Sequence, residues 1–281
     1  MSVVNDVLVG CIGCGTMGGA VMKAIAVKYS AKNIYVSAKH YDNAVKFAKD
    51  TGANAVESNI EVAKKCKYIF LAVKPAFIKE VLQEIQPAFT EPKVIISMAA
   101  GLSLNTLKDA CKTSELSAPD SSCVPQFIRI MPNLPAVFGE SMTALCSASD
   151  VKDEEIAVVE ELLSSAGKVE KVTEKMMDGV TAVSGSGPAY AFMFIEALAD
   201  AAVKFGIPRK QAYVYAAQTL KGAAVMALED GRSISELKDA VCSPAGTTID
   251  AVASLERHGF RGTVIDAATA AYNKSIDLGR R

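Results

Sequence analysis

The sequence predicts an α/β protein in which an N-terminal Rossmann-type, doubly wound sheet precedes a C-terminal all-α domain. Short β-rich apolar runs alternate with amphipathic stretches through the first half, and a glycine-rich turn follows the first of these runs. After residue 172 the β-rich runs stop and helix signals follow one another. The predicted domains are therefore residues 1–172 and 173–281.

The first domain has the rhythm of βαβ units, whose right-handed crossovers build a parallel sheet with helices on both faces. Predicted strands are Val7–Ile12, Asn33–Ser37, Tyr68–Val73, Lys93–Met98, Phe127–Met131, Met142–Cys146 and Lys168–Val172. Predicted helices are Met17–Tyr29, Asp42–Asp50, Phe77–Ile85, Leu104–Ala110 and Asp153–Ala166.

The second domain shows helix signals in series. Ala189–Phe205 is an apolar helical stretch, Gly206 is a typical helix end, and Pro208 suits the first turn of the next helix. A serine or threonine followed three residues later by an acid indicates a capping box, which marks a helix start. Three such pairs predict three further helices: Ser233 with Glu236, Thr247 with Asp250, and Thr263 with Asp266.

Composition indicates a folded protein with a small-molecule partner. Half of the 281 residues are apolar, and 30 basic residues nearly balance 31 acidic ones without long runs of either sign. That balance argues against nucleic acid or an anionic membrane as a partner. Ala189–Phe205 carries Glu196, Asp200 and Lys204 along one helical face, which predicts a partly buried helix and no membrane span.

The seven cysteines are odd in number and irregularly spaced, which predicts free thiols and a cytoplasmic protein. Cys11 and Cys14 form a C-x-x-C, a spacing found in redox pairs and in zinc sites. Here Cys11 falls in a predicted strand and Cys14 in the glycine turn, without a second ligand pair. We therefore predict no metal site and no redox role for this pair.

The glycine turn, Gly13-Cys14-Gly15-Thr16-Met17-Gly18, follows a predicted strand and opens a predicted helix, as a dinucleotide site requires. Gly13 permits the tight turn, Gly15 lets the backbone approach a pyrophosphate, and Gly18 lets the helix pack on the strand. The helix start at Thr16 and Met17 offers unpaired N–H groups and a positive dipole to phosphate. A merely structural turn is the alternative.

The end of the second strand favours NADPH as cofactor, with NADH as an alternative. About twenty residues beyond the glycines, an NAD site places an acid on the ribose 2′-hydroxyl. Here the sequence reads Ser37-Ala38-Lys39-His40, with no acid. A hydroxyl and a cation suit a 2′-phosphate, so Ser37 and Lys39 are the predicted contacts. The alternative is that Lys39 and His40 are ordinary solvated loop residues.

Four further segments, together with the glycine turn, resemble the pyrroline-5-carboxylate reductase family along nearly the whole chain. The last two segments are the specific ones, because a glycine turn alone occurs in many enzymes. The segments are Ala72-Val73-Lys74-Pro75, Ala99-Ala100-Gly101, Ser184-Gly185-Ser186-Gly187-Pro188-Ala189-Tyr190 and Ser243-Pro244-Ala245-Gly246-Thr247-Thr248.

The resemblance implies that two loops and an asparagine line the NADPH groove beside the glycine turn. The loops follow predicted strands or their helices, at the edge where open α/β sheets bind ligands. Lys74 precedes Pro75 at a strand end, so we predict that it lines the cofactor groove and takes no part in the chemistry. The implied lining residues are Asn59, Ala72, Val73, Lys74, Pro75, Ala99, Ala100 and Gly101.

For the substrate, the resemblance implies reduction of Δ1-pyrroline-5-carboxylate to proline by hydride transfer to C5 of the cyclic imine. The substrate carboxylate would lie at Ser243, Gly246, Thr247 and Thr248, where N–H groups at a helix start suit an anion. The Thr248 hydroxyl would hydrogen-bond the ring nitrogen, chiefly to orient it. The alternative for Thr247 is that it only caps the helix.

Two further residues are less settled by the sequence. The resemblance places Glu174 near the substrate of a paired subunit, and an ordinary first-turn acid is the alternative. Ala245 stands where the family often has a second glycine. Its methyl group would narrow the turn that is predicted to hold the substrate carboxylate.

The resemblance also implies an interleaved homodimer through the helical domain, and dimers that gather into a decamer of five. The apolar helices after residue 172 agree with pairing. The alternatives are an NADP-dependent β-hydroxyacid dehydrogenase, whose catalytic lysine would have to be Lys204, and a catalytically silent NADP-binding regulator. Imine ring size, the NADPH to NADH ratio and feedback inhibition by proline stay open.

Overall fold

A computed structural model describes residues 6–111 and 124–279. The chain divides into two compact units, Met1–Gly185 with Ala271–Arg281, and Ser186–Ala270. This boundary lies later than the predicted division after residue 172. The reason is that residues following the last strand still make hydrogen bonds to the sheet, through Glu174 to Arg129 and through Ser184 to Met142.

The first unit is built on an eight-stranded sheet of order β3-β2-β1-β4-β5-β6-β7-β8. Every pairing is parallel except that of β6 with β7. Residues of β1, β4 and β5 are all buried, as in strands covered on both faces. The strands are Val9–Ile12 (β1), Ile34–Ser37 (β2), Asn54–Ala55 (β3), Tyr68–Leu71 (β4), Val94–Ser97 (β5), Gln126–Met131 (β6), Ser141–Ser147 (β7) and Gly167–Lys171 (β8).

Helices alternate with these strands and supply the rest of the core. Val21, Ile25 and Leu82 are fully buried, together with Phe70 and Ile96 of the sheet. The helices are Thr16–Lys28 (α1), Tyr41–Thr51 (α2), Asn59–Lys65 (α3), Ile78–Ile85 (α4), Leu104–Ala110 (α5), Asp153–Leu163 (α6) and Met177–Val180 (α7). The Rossmann-type fold class is confirmed.

The sequence patterns missed β3, α3 and the four-residue helix α7. The strand β3 has two residues, too few for an alternation to be visible. The helix α3 did carry a signal, because the Ser58 side chain accepts a hydrogen bond from the Glu61 N–H at 3.2 Å and caps the helix.

The second unit is helical. Its first two helices pack through small residues, Ala199 against Ala212 and Ala216. Gly206, with φ of 92°, ends the first of them as predicted. The helices are Gly187–Lys204 (α8), Arg209–Glu229 (α9), Ile234–Val241 (α10), Thr247–Arg257 (α11) and Phe260–Gly279 (α12), the last continuing into the first unit.

One of the three predicted capping boxes is confirmed. The Ser233 hydroxyl accepts from the Glu236 N–H, and the Glu236 side chain accepts from the Ser233 N–H. The Thr247 prediction is wrong, because Gly246 is the N-cap of α11 and Thr247 is already helical. The Thr263 prediction is also wrong: Thr263 lies inside α12, where its hydroxyl donates to the Gly259 carbonyl at 3.2 Å.

Large apolar side chains lie exposed on the single helical unit, among them Phe192, Met193, Phe205, Tyr215 and Leu228. Apolar surface of this kind is typical of a face that pairs with another chain. Within the part of the chain that the structure describes, no helix has both the length and the apolar character needed to cross a membrane.

Candidate functional site

The predicted cofactor loops meet at one edge of the sheet. Ile12, the last residue of β1, lies in register with Ser37 of β2 and Leu71 of β4, and Leu71 lies in register with Ser97 of β5. Strand order runs outward in opposite directions from β1 and β4. The carboxyl ends of β1 and β4 therefore form the topological switch point, where open α/β sheets bind ligands.

Two glycines of the turn are required by the protein itself. Gly13 has φ of 97°, and a Cβ there would lie 2.8 Å from the Ala72 carbonyl oxygen. A Cβ on Gly18 would lie 2.2 Å from the Gly13 carbonyl oxygen. The Gly13 N–H donates to the Ser37 carbonyl at 2.9 Å, which joins the turn to the end of β2.

Gly15 is different, because a Cβ there would meet nothing within 4 Å. The fold does not need glycine at this position, whereas a ligand approaching the backbone does. Gly15 is the N-cap of α1; no side chain caps the helix, and its first turn, from Thr16, holds no acid. Its N–H groups and positive dipole thus face an open cradle that fits a pyrophosphate.

A cavity of about 390 Å³ continues from the glycine turn toward the end of β2. Lys39, Asn59 and Val73, three of the residues predicted to contact the cofactor, line it. The Lys39 ammonium lies 5.8 Å from the centroid of the Phe77 ring. Ser37 is fully buried behind the cavity and donates its hydroxyl to Asn59 Oδ1 at 2.8 Å. Ser37 therefore acts on the cavity through Asn59.

The other two predicted loops lie at the same sheet edge. The Ala72 N–H donates to the Ile12 carbonyl at 2.9 Å, while Lys74 is exposed and precedes the short 3-10 helix that begins at Pro75. Ala99 is buried. Gly101 has φ of 79°, and a Cβ there would lie 2.8 Å from the Gly279 backbone nitrogen. The end of α12 thus packs directly on the loop Ala99–Gly101.

The C-x-x-C thiols have no nucleophilic character. Cys11 is buried in β1 and its thiol lies 3.7 Å from the Gly13 carbonyl oxygen, while Cys14 is half-buried in the turn. Burial raises the pKa of both thiols, which keeps them protonated at neutral pH.

Glu174 has a role that the sequence patterns did not suggest. Its Oε1 accepts the Leu104 N–H at 2.6 Å, at the start of α5, and the Arg129 Nη1–H at 2.8 Å. Arg129 is buried in the middle of β6, and its Nε has no hydrogen-bond partner among the described residues. The Glu174 carboxylate therefore balances a buried guanidinium and joins β6 to α5.

Replacing Glu174 by Ala should lower the free energy of unfolding by about 2 to 4 kcal/mol, because Arg129 would stay buried without its anion. The upper figure is reduced because the Glu174 side chain is 36% exposed. Urea unfolding at fixed protein concentration measures the change. Glu170→Ala, at an exposed acid on β8, is the matched control, and an equal loss there would contradict the assignment.

The predicted substrate turn is a tight turn followed by an uncapped helix start. The Gly246 N–H donates to the Ser243 carbonyl at 3.0 Å across Pro244 and Ala245. A Cβ on Gly246 would lie 2.3 Å from Ser243 Oγ, so the hydroxyl packs against that glycine. No side chain caps α11, which leaves the first N–H groups of the helix to other acceptors.

Ala245 has φ of 57° and is the only non-glycine with positive φ in the described ranges 6–111 and 124–279. With Pro244 before it, this is a type II turn, whose third residue favours glycine. Ala245→Gly should raise stability by roughly 0.5 kcal/mol, because relief of left-handed strain exceeds the added chain entropy. Ala245→Val should lower stability instead. Thermal unfolding distinguishes them, and a stabilised Val variant would contradict the strained turn.

Asn133 is a residue that the sequence patterns missed. Its side-chain amide donates to the Ser184 carbonyl at 3.1 Å, and its Oδ1 accepts the Met142 N–H at 3.0 Å. It holds the π-helical turn Thr181–Gly185 to β7. Its position just after the buried end of β6 was the available signal.

Comparisons with known proteins agree along the whole chain. Residues 174–278 match the family profile described as pyrroline-5-carboxylate reductase dimerisation, and residues 8–101 match one described as NADP oxidoreductase, coenzyme F420-dependent. Pyrroline-5-carboxylate reductase of Escherichia coli is 41% identical over 97% of this chain and 98% of its own length. Pyrroline-5-carboxylate reductase 3 of Danio rerio is 38% identical over 99% of this chain and 93% of its own length.

Solved structures give the same result. Plasmodium falciparum pyrroline carboxylate reductase, crystallised with NADP bound, superposes with a TM-score of 0.86 at 32% identity, covering 98% of this chain and 99% of that one. The Streptococcus pyogenes 1-pyrroline-5-carboxylate reductase superposes with a TM-score of 0.81 at 32% identity, covering 96% of this chain and 98% of that one. The chain therefore belongs to the pyrroline-5-carboxylate reductase family.

Proposed function

We propose that this protein reduces Δ1-pyrroline-5-carboxylate to L-proline with NADPH, the closing step of proline biosynthesis. The observation that carries the proposal is likeness over nearly the full length to reductases of that name, at up to 41% identity among those compared. The open cradle at Gly15 supports the cofactor part of the proposal independently, because the fold does not require glycine there and a pyrophosphate would.

The first unit would hold the cofactor. N–H groups at Gly15, Thr16 and Met17 face the pyrophosphate, and Lys39 faces the 2′-phosphate. Asn59 and the two alanine-containing loops line the remaining length. When bound, NADPH supplies the hydride that C5 of the imine accepts.

The second unit would hold the substrate. The Ser243 hydroxyl and the N–H groups of Thr247 and Thr248 bind the carboxylate, because an uncapped helix start suits an anion without an arginine. The Gly246 N–H, which the sequence also suggested, donates to the Ser243 carbonyl and shapes the turn instead. The Thr248 hydroxyl hydrogen-bonds the ring nitrogen. Its main task is to orient the imine, since a protonated imine is already electrophilic and an alcohol is a weak acid near neutral pH.

A substrate contact from Glu174 stays a hypothesis with a geometric condition. Both of its described hydrogen bonds use Oε1, so a contact to substrate would have to use Oε2. Glu174→Gln separates the two roles: an added substrate role raises the Michaelis constant for the imine, whereas a purely structural role changes stability alone.

The helical unit forms a dimer, as its family profile and its exposed apolar side chains indicate. We propose that five dimers assemble into a decamer. We also propose that residues 1–172 bind the cofactor and that residues 173–281 pair, a division by function that begins before the compact helical unit does. Light scattering on the protein as it elutes from a size-exclusion column measures the mass of the assembly. A dimer that stays a dimer at high concentration would exclude the decamer.

The six described cysteines are free thiols, which agrees with the proposed cytoplasmic location.

Replacing Ser37 and Lys39 together by Ala should raise the Michaelis constant for NADPH about tenfold, because a charge-assisted contact to the 2′-phosphate is lost. The constant for NADH should change less than about twofold, since NADH lacks that phosphate. Lys39→Ala alone is the cleaner variant, because Ser37 also holds Asn59. Equal changes for NADPH and NADH would contradict the phosphate assignment.

The reaction itself is tested by mixing the purified protein with Δ1-pyrroline-5-carboxylate and following loss of NADPH absorbance and formation of proline. We expect NADPH to be oxidised and proline to form. NADPH binding without turnover on this imine or its six-membered homologue would favour the silent regulator. Turnover of a β-hydroxyacid would favour the dehydrogenase, although Lys204 is the exposed last residue of α8.

A further inference from the structure

We infer that Glu84 sets the ratio of NADPH to NADH binding, as the negative charge that opposes Lys39 in the cavity at the end of β2. The inference rests on the proposed placement of the cofactor 2′-position in this cavity. None of the three residues directly after β2, where an NAD site places an acid, is acidic, yet the cavity is acidic. Its lining contains three glutamates, Glu57, Glu80 and Glu84, against the single cation Lys39.

Glu84 differs from the other two glutamates because it is bound to a cofactor-lining residue. Asn59 Nδ2 donates to Glu84 Oε2 at 2.7 Å, while Asn59 Oδ1 accepts the Ser37 hydroxyl at 2.8 Å. These contacts form a chain from the end of β2 through the start of α3 to α4. They determine which way the Asn59 amide points and leave its second N–H for a ligand.

The charge of Glu84 acts differently on the two cofactors. A phosphate monoester carries about −1.5 to −2 charge at neutral pH, so the carboxylate repels the 2′-phosphate of NADPH. A ribose 2′-hydroxyl is neutral and donates a hydrogen bond that a carboxylate accepts. From its position on α4, Glu84 thereby performs part of the role that an acid after β2 has in NAD sites. It keeps the affinity for NADH comparable to the affinity for NADPH.

The test measures dissociation constants of the full-length protein for NADPH and NADH by cofactor fluorescence, with no imine present. Glu84→Gln keeps an acceptor for Asn59 and removes the charge. We expect the preference for NADPH to rise about three- to tenfold at low salt and the gain to shrink at 0.5 M salt, as screening requires. Glu84→Ala should raise the preference as well, with weaker binding of both cofactors because Asn59 is released.

The matched control is Glu140→Gln, at an exposed glutamate of the same unit that lies outside this cavity; its preference should equal that of the parent protein. An unchanged preference in Glu84→Gln, or a gain that salt does not reduce, would overturn the inference. Lys39→Ala separates this failure from failure of the placement. If Lys39→Ala lowers the preference while Glu84→Gln does nothing, the placement stands and Glu84 is excluded; if neither variant changes it, both are wrong.

Discussion

Thr248→Val should lower turnover on the imine by about a hundredfold, a loss typical of a reacting group that is no longer held in position. Valine has nearly the same shape as threonine and lacks the hydroxyl that we place on the ring nitrogen. Thr248 is the second helical residue of α11, beyond the N-cap Gly246, so its hydroxyl is not needed to cap the helix. Stability should therefore change little.

Steady-state kinetics with saturating NADPH measures this effect, and fluorescence titration shows whether NADPH affinity is unchanged. Thr248→Ser is the matched control, because it restores a hydroxyl at the same position and should recover most of the turnover. Thr247→Val, one residue earlier, is a second control: it keeps the backbone N–H that we place on the carboxylate, so turnover and the Michaelis constant for the imine should both change little. Full turnover in Thr248→Val would remove Thr248 from the mechanism.

Gly15→Val should abolish useful NADPH binding, with an affinity loss on the order of 10²-fold, while the protein still folds. The added side chain starts in open space, where no protein atom lies within 4 Å, and fills the cradle at the start of α1. Loss of the favourable N-cap costs only about 1 kcal/mol. The Tm of the free Gly15→Val protein should thus be modestly lower than that of the parent protein, and added NADPH should not raise it.

Gly18→Ala should instead lower the stability of the fold, because the protein itself requires glycine at this position. A single Cβ there would lie 2.2 Å from the Gly13 carbonyl oxygen and 2.6 Å from the Ala72 Cβ, so the turn must shift and stability should fall by about 3 kcal/mol.

The parent protein is the reference for Gly15→Val. In it, NADPH at a hundredfold excess over its dissociation constant should add about 2.7 kcal/mol to stability. A similar gain in Gly15→Val would show that the cradle does not hold the cofactor.

Periodic patterns in the sequence predicted most of the first unit. Buried parallel strands read as continuous apolar runs, and β1, β4 and β5 lie within the predicted ranges with ends shifted by a residue or two. The pattern was weakest where it was shortest, at the two-residue strand β3. Capping boxes misled at Thr247 and Thr263, because a threonine followed by an acid also occurs inside a helix, where the hydroxyl can bond the preceding turn.

The sequence by itself determined the order of strands and helices, the dinucleotide turn and the family, because these depend on residues close together along the chain. Only the tertiary structure decided that Gly15 faces open space while Gly18 does not, that Glu174 pairs with Arg129, and that Glu84 holds Asn59. For the pairs Glu174 with Arg129 and Glu84 with Asn59, the physical reason is distance along the chain. Residues that far apart leave no periodicity or local propensity, and their partnership exists only once the sheet has brought them together.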